Sequence, residues 1–222
     1  MGKEREVKLR IADLPALRRA LTKLGVLVVR PRVHELNVVF DTPGFDLAKR
    51  EHLLRIRTET AGGSRGRTSR AGTGARVTFK RPVPAAGSNG KGERHKVREE
   101  IELEVSDEKA LARIFEALGL NAWFRYEKFR TTFRLPGSRR WAKGLLIELD
   151  ETPIGIFLEL EGPASAIDRA AGAIGFDGRD YVLANYMVLH REYCLSRGEE
   201  PRDMLFASKK QRAPSAKSKN LS

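Results

Sequence analysis

Alternation between apolar and charged residues is the dominant pattern of this chain, and it predicts β-strands. In residues 4–11, charged side chains at positions 4, 6, 8 and 10 alternate with Val7, Leu9 and Ile11. Because consecutive strand residues point to opposite faces, such a run has one charged face and one apolar face. About eight such runs occur, separated mostly by turns and loops. They lie near 4–11, 37–41, 53–58, 75–80, 97–105, 127–135, 145–150 and 156–161.

Four further segments have the spacing and the end signals of helices. The first follows an N-cap candidate, Asp13, and ends at Gly25. The third begins with a capping box formed by Ser165 and Asp168. The predicted helices cover residues 14–24, 107–118, 165–174 and 181–196.

The charged strand faces sort by sign, which an ordinary solvated surface does not explain. The carboxylate pairs are Glu4/Glu6, Glu100/Glu102, Glu148/Asp150 and Glu159/Glu161, and the cation pairs are Arg55/Arg57, Arg76/Lys80 and Lys128/Arg130. One interpretation is a barrel or sheet with a charged exterior around an apolar core. The other is a closed barrel whose charged faces line a polar tunnel, with its apolar faces under the helices. Such a tunnel suits phosphate chains, because arginine and lysine bind their oxygens and carboxylates hold their metals.

In order along the chain, these runs resemble the motifs of the CYTH superfamily, the triphosphate tunnel metalloenzymes. Glu4-x-Glu6-x-Lys8 resembles the ExExK signature of that family. The other matching motifs are Leu54-Arg55-Ile56-Arg57, Thr78-Phe79-Lys80, Arg98-x-Glu100-x-Glu102, Lys128-x-Arg130, Leu149-Asp150 and Phe157-Leu158-Glu159-Leu160-Glu161. The resemblance runs from about Glu4 to about Tyr193. It implies an α+β fold, an eight-stranded antiparallel β-barrel with helices packed on the outside.

The resemblance also implies a site that binds a triphosphate-containing small molecule together with Mg²⁺ or Mn²⁺. The implied catalytic residues are Glu4, Glu6 and Lys8. The implied metal ligands are Glu4, Glu6, Glu100, Glu102, Asp150, Glu159 and Glu161. The implied phosphate-binding residues are Lys8, Arg55, Arg57, Lys80, Arg130 and Arg179. Arg179 is included because Arg179-Asp180-Tyr181 stands where the family often has Lys-Ser-Tyr.

Three functions stay open at this point. The first is metal-dependent hydrolysis of inorganic tripolyphosphate, thiamine triphosphate or a nucleoside triphosphate. The second is a class IV-type adenylyl cyclase that makes cyclic AMP from ATP, and the third is a non-catalytic module that binds polyphosphate or RNA. Cyclase members often carry a His-Phe pair just before ExExK, and the absence of that pair from residues 1–3 favours the hydrolase.

The composition sets the domain organisation and the expected partners. The 222 residues carry a net charge of +13, of which the segment 207–222 supplies +5. We predict a tunnel domain over 1–200 with a flexible loop near 61–74, and a basic, disordered tail over 207–222. The basic segments suggest nucleic-acid binding, but a solubilising role is favoured because no RNA-binding motif or series of stacking aromatics accompanies them.

The sequence also bears on location and assembly. No apolar run is long enough to span a membrane, and no signal-peptide core follows Lys3. We therefore expect a cytoplasmic protein that does not bind membranes. The oligomeric state is open, with a homodimer among the options.

Overall fold

The strands form a closed barrel in the computed structural model, which describes residues 2–61, 75–83 and 94–207. The strands are β1 (Gly2–Ile11), β2 (Leu27–Asp41), β3 (Leu53–Ala61), β4 (Ala75–Pro82), β5 (Lys96–Val105), β6 (Asn121–Arg134), β7 (Leu146–Thr152) and β8 (Gly155–Glu161). Around the barrel they follow the order β1-β5-β4-β3-β2-β6-β7-β8, and β8 pairs with β1 to close the ring. All neighbours are antiparallel, which confirms the predicted fold class. The predicted loop over 61–74 and the predicted tail over 207–222 lie outside the described residues, except for Ala61 and Ala207.

The strand register turns the charged positions into the barrel. Lys8 on β1 is paired with Glu159 on β8, and both side chains are buried. Asn37 on β2 is likewise paired with Arg57 on β3. Since side chains alternate along each strand, the apolar neighbours of these residues face outward. The tunnel interpretation is therefore confirmed, and the interpretation with a solvated charged exterior is wrong.

Helices cover the outward apolar faces. They are α1 (Leu14–Leu24), the short α2 (Asp46–Lys49), α3 (Glu108–Ala117), α4 (Ala164–Ala173) and α5 (Tyr186–Ser196). As predicted, Asp13 caps α1 by accepting a hydrogen bond of 2.8 Å from the backbone N–H of Ala16. The residues of α1 and α4 pack on the outer faces of β1, β7 and β8 to form the largest apolar core. No helix within residues 2–61, 75–83 and 94–207 combines the length and apolarity needed to cross a membrane.

The helix α5 has a different position, because its first turn lies at one end of the barrel. Tyr186 packs there against Phe157, with the rings edge to face at 5.4 Å between centroids. Tyr126 and Val39 belong to the same apolar cluster, and both lie on strands of the barrel. The chain therefore places an aromatic residue of α5 among the inward-facing side chains.

Three local predictions were wrong in detail. The run at 37–41 is the end of a longer strand, β2, because its earlier residues pair with β6 despite register shifts near Val28 and Arg30. The cap of α4 is Pro163, with no side-chain hydrogen bond, because the carboxylate of Asp168 instead accepts from Tyr181. The last helix begins at Tyr186 rather than at 181, since the backbone of Val182 pairs with that of Lys8.

Two glycines provide a test of the backbone geometry. Gly162 follows β8 with φ +147°, and a Cβ there would lie 2.7 Å from the carbonyl oxygen of Gly144. We expect Gly162→Ala to lower the free energy of unfolding by about 2 kcal/mol or more, because strain and overpacking add. Gly172 lies in α4, where an added Cβ would meet no atom within 4 Å, so Gly172→Ala is the control. It should raise the free energy of unfolding by up to about 1 kcal/mol. Urea unfolding measures both, and equal values for the two variants would contradict this geometry.

Candidate functional site

Asp150 is the centre of the charged network inside the barrel. Its carboxylate is 0% exposed and accepts hydrogen bonds from Lys128 at 2.9 Å, from two nitrogens of Arg130 at 2.6 Å, and from the hydroxyl of Tyr186 at 2.7 Å. Burial and the nearby Asp150 charge together raise the pKa of the Tyr186 hydroxyl well above its ordinary value. Asp150 thus holds two cations and a neutral tyrosine in place, and the donors already occupy both of its oxygens.

Lys8 lies between two carboxylates of neighbouring strands. Its Nζ is 3.2 Å from Glu6 and 3.3 Å from Glu159, which also accepts from Arg130. Burial opposes the charge on Lys8, but Glu159 and Glu6 outweigh burial and raise its pKa. Burial likewise opposes the charge on Glu6, yet Lys8 and Lys96, whose Nζ lies 3.3 Å from the same carboxylate, lower its pKa to about 2. All of these groups are therefore ionised at neutral pH.

A second ion-paired cluster lies further along the barrel. Lys80 contacts Glu4 and lies 3.2 Å from Glu100. Glu102 accepts a hydrogen bond of 2.8 Å from the Thr78 hydroxyl. These contacts place the predicted residues of β1, β4 and β5 in one cluster.

The two arginines of β3 differ in their partners. Arg57 donates to the side-chain oxygen of Asn37 at 3.0 Å and lies 3.5 Å from the buried carboxylate of Glu35. Arg55 is only 7% exposed, and its one side-chain hydrogen bond goes to the hydroxyl of Tyr126 at 2.8 Å. Within the described ranges, Arg55 has no carboxylate within 4.0 Å, and its buried Nε has no hydrogen-bond partner. Arg55 is therefore a buried cation that lacks an anion, and such a group is costly unless a bound anion compensates it.

Several carboxylates lie close together at the end of the tunnel away from α5. Glu4, Glu100, Glu148 and Glu161 line a cavity of about 590 Å³ there. Burial and the neighbouring Glu4 and Glu148 raise the pKa of Glu161 to about 8. Burial and the nearby Glu4 also raise the pKa of Glu100 to about 7, against the opposing effect of Lys80. These carboxylates repel one another and would be stabilised by an added cation.

The donor set fits a hard divalent cation such as Mg²⁺ or Mn²⁺, which prefers carboxylate oxygens. In the part of the chain that the structure describes, no three carboxylate, imidazole or thiol groups converge as a ready metal site. Lys80 and Lys8 hold Glu4 and Glu6, while Glu161 makes no ion pair among the described residues. Of the seven predicted ligands, Glu4, Glu6, Glu159 and Glu161 are the ones that would hold a metal once the lysines release their carboxylates.

The structure brings together every predicted site residue except one. Arg179 lies outside the barrel, where its side chain is 90% exposed and pairs with Asp177. The structure does not support its inclusion, because its guanidinium pairs with Asp177 at the surface and lines neither tunnel cavity. The roles predicted for the other residues stay predictions.

Several residues that line the tunnel were not among the predicted site residues, although Lys128 and Glu148 belong to the charged pairs named from the sequence. They are Glu35, Asn37, Lys96, Tyr126, Lys128, Glu148 and Tyr186. A signal existed for the six that lie on β2, β5, β6 and β7, because they occupy the same alternating positions as the predicted residues. Tyr186 had no such signal, since it reaches the tunnel from a helix.

The pKa shifts predict how stability depends on pH in metal-free protein. Glu161 and Glu100 bind protons more tightly in the folded chain, with pKa values of about 8 and about 7 against 4.5 in the unfolded chain. Their contribution to stability is complete below pH 4.5 and is lost as the pH rises through those values. We therefore expect the melting temperature to fall between pH 5 and pH 8, as measured by calorimetry in the presence of a chelator.

Glu161→Gln should flatten this fall, because it removes the group with the largest shift. Glu116→Gln is the control, since Glu116 is an exposed residue of α3. A pH profile unchanged by Glu161→Gln would contradict the crowding of carboxylates at this end of the tunnel.

Comparisons with known proteins agree with this fold. A structure from Pyrococcus horikoshii is 22% identical and has a TM-score of 0.64, covering 85% of this chain and 98% of its own. A candidate adenylate cyclase from Vibrio parahaemolyticus is 16% identical with a TM-score of 0.62, covering 88% of this chain and 99% of its own. A candidate adenylyl cyclase from Hippeastrum, described as having a dominant triphosphatase activity, is 20% identical with a TM-score of 0.55, covering 89% and 97%. These similarities show the fold.

No curated protein sequence matches the chain. The family model described as the CYTH domain matches residues 2–174, which include all eight strands. The chain therefore belongs to the CYTH domain family.

Proposed function

We propose that this protein is a divalent-metal-dependent triphosphatase that cleaves its substrate inside the barrel. The observation that carries the proposal is Arg55, a buried guanidinium with no carboxylate partner among the described residues. A buried arginine without a carboxylate partner is stabilised by a bound anion. A phosphate chain is a suitable anion, because several of its oxygens can accept hydrogen bonds from the guanidinium.

The other cations of the tunnel have the positions needed to bind the rest of the phosphate chain. Lys8, Arg57, Lys80 and Arg130 line the same narrow cavity as Arg55. Their positive charge would neutralise the triphosphate and the charge that builds on the leaving phosphate in the transition state. Lys8 keeps its proton because its carboxylate neighbours raise its pKa, so it acts as a fixed charge and not as a base.

The carboxylates of β1 and β8 would bind the metal. Glu4, Glu6, Glu159 and Glu161 would hold Mg²⁺ or Mn²⁺, which would supply a water of lowered pKa and neutralise phosphate oxygens. Glu159 contacts both Lys8 and Arg130, so it would hold the metal next to two of the cations that would bind phosphate.

Cyclisation of ATP is the second candidate, because the Vibrio neighbour is named as a candidate adenylate cyclase. The neighbour from Hippeastrum, named in the same way but described as predominantly a triphosphatase, favours hydrolysis. The same tunnel cations and carboxylates would bind the substrate for hydrolysis and for cyclisation. Which reaction follows depends on which phosphorus atom lies beside the nucleophile.

Product analysis tests the proposal directly. Purified protein is incubated with Mg²⁺ or Mn²⁺ and tripolyphosphate, thiamine triphosphate or ATP. We expect metal-dependent release of orthophosphate. Cyclic AMP with pyrophosphate from ATP would replace the triphosphatase by a cyclase, and tight binding without turnover would replace it by a polyphosphate-binding module.

Arg55→Met tests the arginine that carries the proposal. We expect it to lower kcat/KM for metal-dependent phosphate release by about 100-fold or more, since it removes a preorganised charge from the phosphate site. Arg179→Met is the matched control, because Arg179 is an exposed arginine outside the barrel. Equal activity of the two variants would refute the role of Arg55.

Glu4→Gln combined with Glu6→Gln tests the carboxylates of β1. We expect this variant to lose metal-dependent phosphate release, because both changes remove charge from the oxygens that would hold the metal. Glu99→Gln is the control. Glu99 lies at an outward-facing position of the neighbouring strand β5, where it pairs with Arg81 of β4. Undiminished phosphate release by the double variant, over a full titration of Mg²⁺ and Mn²⁺, would exclude a metal site on β1.

A further inference from the structure

Glu35 is an acidic residue buried among the cations of the narrow central cavity. It lies on β2, is 0% exposed, and is paired in the strand register with Lys128 of β6. Its carboxylate lies 3.5 Å from Nζ of Lys128 and 3.5 Å from Nε of Arg57. Arg55 and Arg130 are also near enough to stabilise its charge. Four cations that line the central cavity therefore surround one carboxylate to which the resemblance assigns no role.

Glu35 makes no hydrogen bond within the described part of the chain, although both of its carboxylate oxygens are buried. Buried carboxylates normally accept hydrogen bonds, so this state is unusual. The two nearest cations donate to other groups, because Arg57 donates to Asn37 at 3.0 Å and Lys128 donates to Asp150 at 2.9 Å. Other residues therefore position these cations, and what Glu35 contributes is negative charge.

The negative charge of Glu35 is maintained in the folded protein. Burial opposes the charge, but the surrounding cations, Arg57 and Lys128 foremost, outweigh burial and lower the pKa of Glu35. A phosphate oxygen bound by Arg57 or Lys128 would come close to this carboxylate. Because like charges repel strongly in a site shielded from water, Glu35 would weaken the binding of phosphate there. In the free protein, Glu35 neutralises part of the positive charge that a phosphate chain would otherwise neutralise.

Release of product gives this charge a function. Buried cations that bind a triphosphate tightly also bind the diphosphate and orthophosphate that hydrolysis leaves, and such uniform binding does not speed the reaction. We propose that Glu35 is a counter-anion that lowers the affinity of the central cavity for phosphate and so allows the products to leave. This inference rests on the proposed function. Glu35 is not among the carboxylates proposed to hold the metal, so its charge would oppose phosphate throughout the reaction.

Binding of pyrophosphate in the presence of Mg²⁺, measured by titration calorimetry, tests the inference without turnover of a triphosphate. Glu35→Gln keeps the size of the side chain and removes its charge. We expect this variant to bind pyrophosphate about tenfold more tightly than the unchanged protein, because one close repulsion is removed. Glu127→Gln is the matched control, since it removes the same charge from the outward-facing side of β6, next to Lys128. Unchanged or weaker binding by Glu35→Gln would overturn the inference, and weaker binding is the result expected of a residue that positions the cations.

Thermal unfolding gives a second measurement. Without phosphate, Glu35→Gln should melt at a lower temperature than the unchanged protein, because the surrounding cations lose a shared anion. Pyrophosphate with Mg²⁺ should then raise its melting temperature by more than it raises that of the unchanged protein, since a ligand stabilises in proportion to its affinity. An equal or smaller rise would overturn the inference.

A double variant keeps the inference testable if Glu35→Gln does not fold alone. Glu35→Gln is then combined with Lys128→Gln, which removes one charge of each sign. The double variant should bind pyrophosphate more tightly than Lys128→Gln alone. An equal or weaker affinity would overturn the inference.

Kinetics separates a failure of this inference from a failure of the proposed function. In metal-dependent hydrolysis of the preferred triphosphate, we expect Glu35→Gln to lower the inhibition constant of pyrophosphate about tenfold, with the Mg²⁺ concentration at half-maximal rate unchanged. A higher Mg²⁺ requirement would make Glu35 a metal ligand and overturn the inference. Turnover by both proteins with equal inhibition by pyrophosphate would overturn the counter-anion and leave the triphosphatase intact. Tighter pyrophosphate binding by Glu35→Gln, with no turnover by either protein, would overturn the triphosphatase and support the counter-anion.

Discussion

The pairing of buried charges inside the barrel is the constraint on which the rest of the structure depends. An ionised side chain removed from water costs several kcal/mol unless partners compensate it. Asp150 shows how the chain meets this cost, because Lys128, Arg130 and Tyr186 all donate to its carboxylate. Because the three donors share one carboxylate, a change at one of them alters the hydrogen bonding of the others, so these residues act as a unit and not as independent contacts.

This network also fixes the strand register. Arg130 on β6 is paired directly with Asp150 on β7, and Lys8 on β1 with Glu159 on β8. A slip by one residue would turn these charges into the apolar layer under α1 and α4 and would bring Leu158 or Leu149 into the tunnel. The charges therefore contribute specificity of pairing, while the outward apolar faces contribute the favourable burial that stabilises the barrel.

Most of the fold was predictable because period-two alternation and helix end signals are local properties. The positions of Glu4, Glu6 and Lys8 on one face follow directly from that alternation. Tyr186 was not predictable, since its place in the tunnel depends on how α5 packs against the barrel, which no local pattern encodes. Arg179 failed because the match of Arg179-Asp180-Tyr181 to the family motif is short, and so short a match does not determine whether a side chain faces the tunnel or the surface. The long strand β2 was predicted only at its end, since its irregular pairing with β6 interrupts the alternation.

Under the proposed function, the pairing of the tunnel charges with one another determines how a metal–triphosphate complex would bind. Lys8 and Lys80 occupy the oxygens of Glu6 and Glu4 that a metal would need, and those carboxylates occupy the lysines that a phosphate would need. A metal–triphosphate complex brings both missing partners at once, so each ion pair can be exchanged without leaving a buried charge uncompensated. Free metal or free triphosphate offers only one of the two partners and leaves the other set of charges unmatched. Binding of metal and triphosphate should therefore be mutually favourable, and this coupling follows from the ion pairs themselves without any change of fold. Arg55 differs from these lysines, because its buried Nε has no hydrogen-bond partner among the described residues. It would therefore bind a phosphate oxygen without first breaking an ion pair.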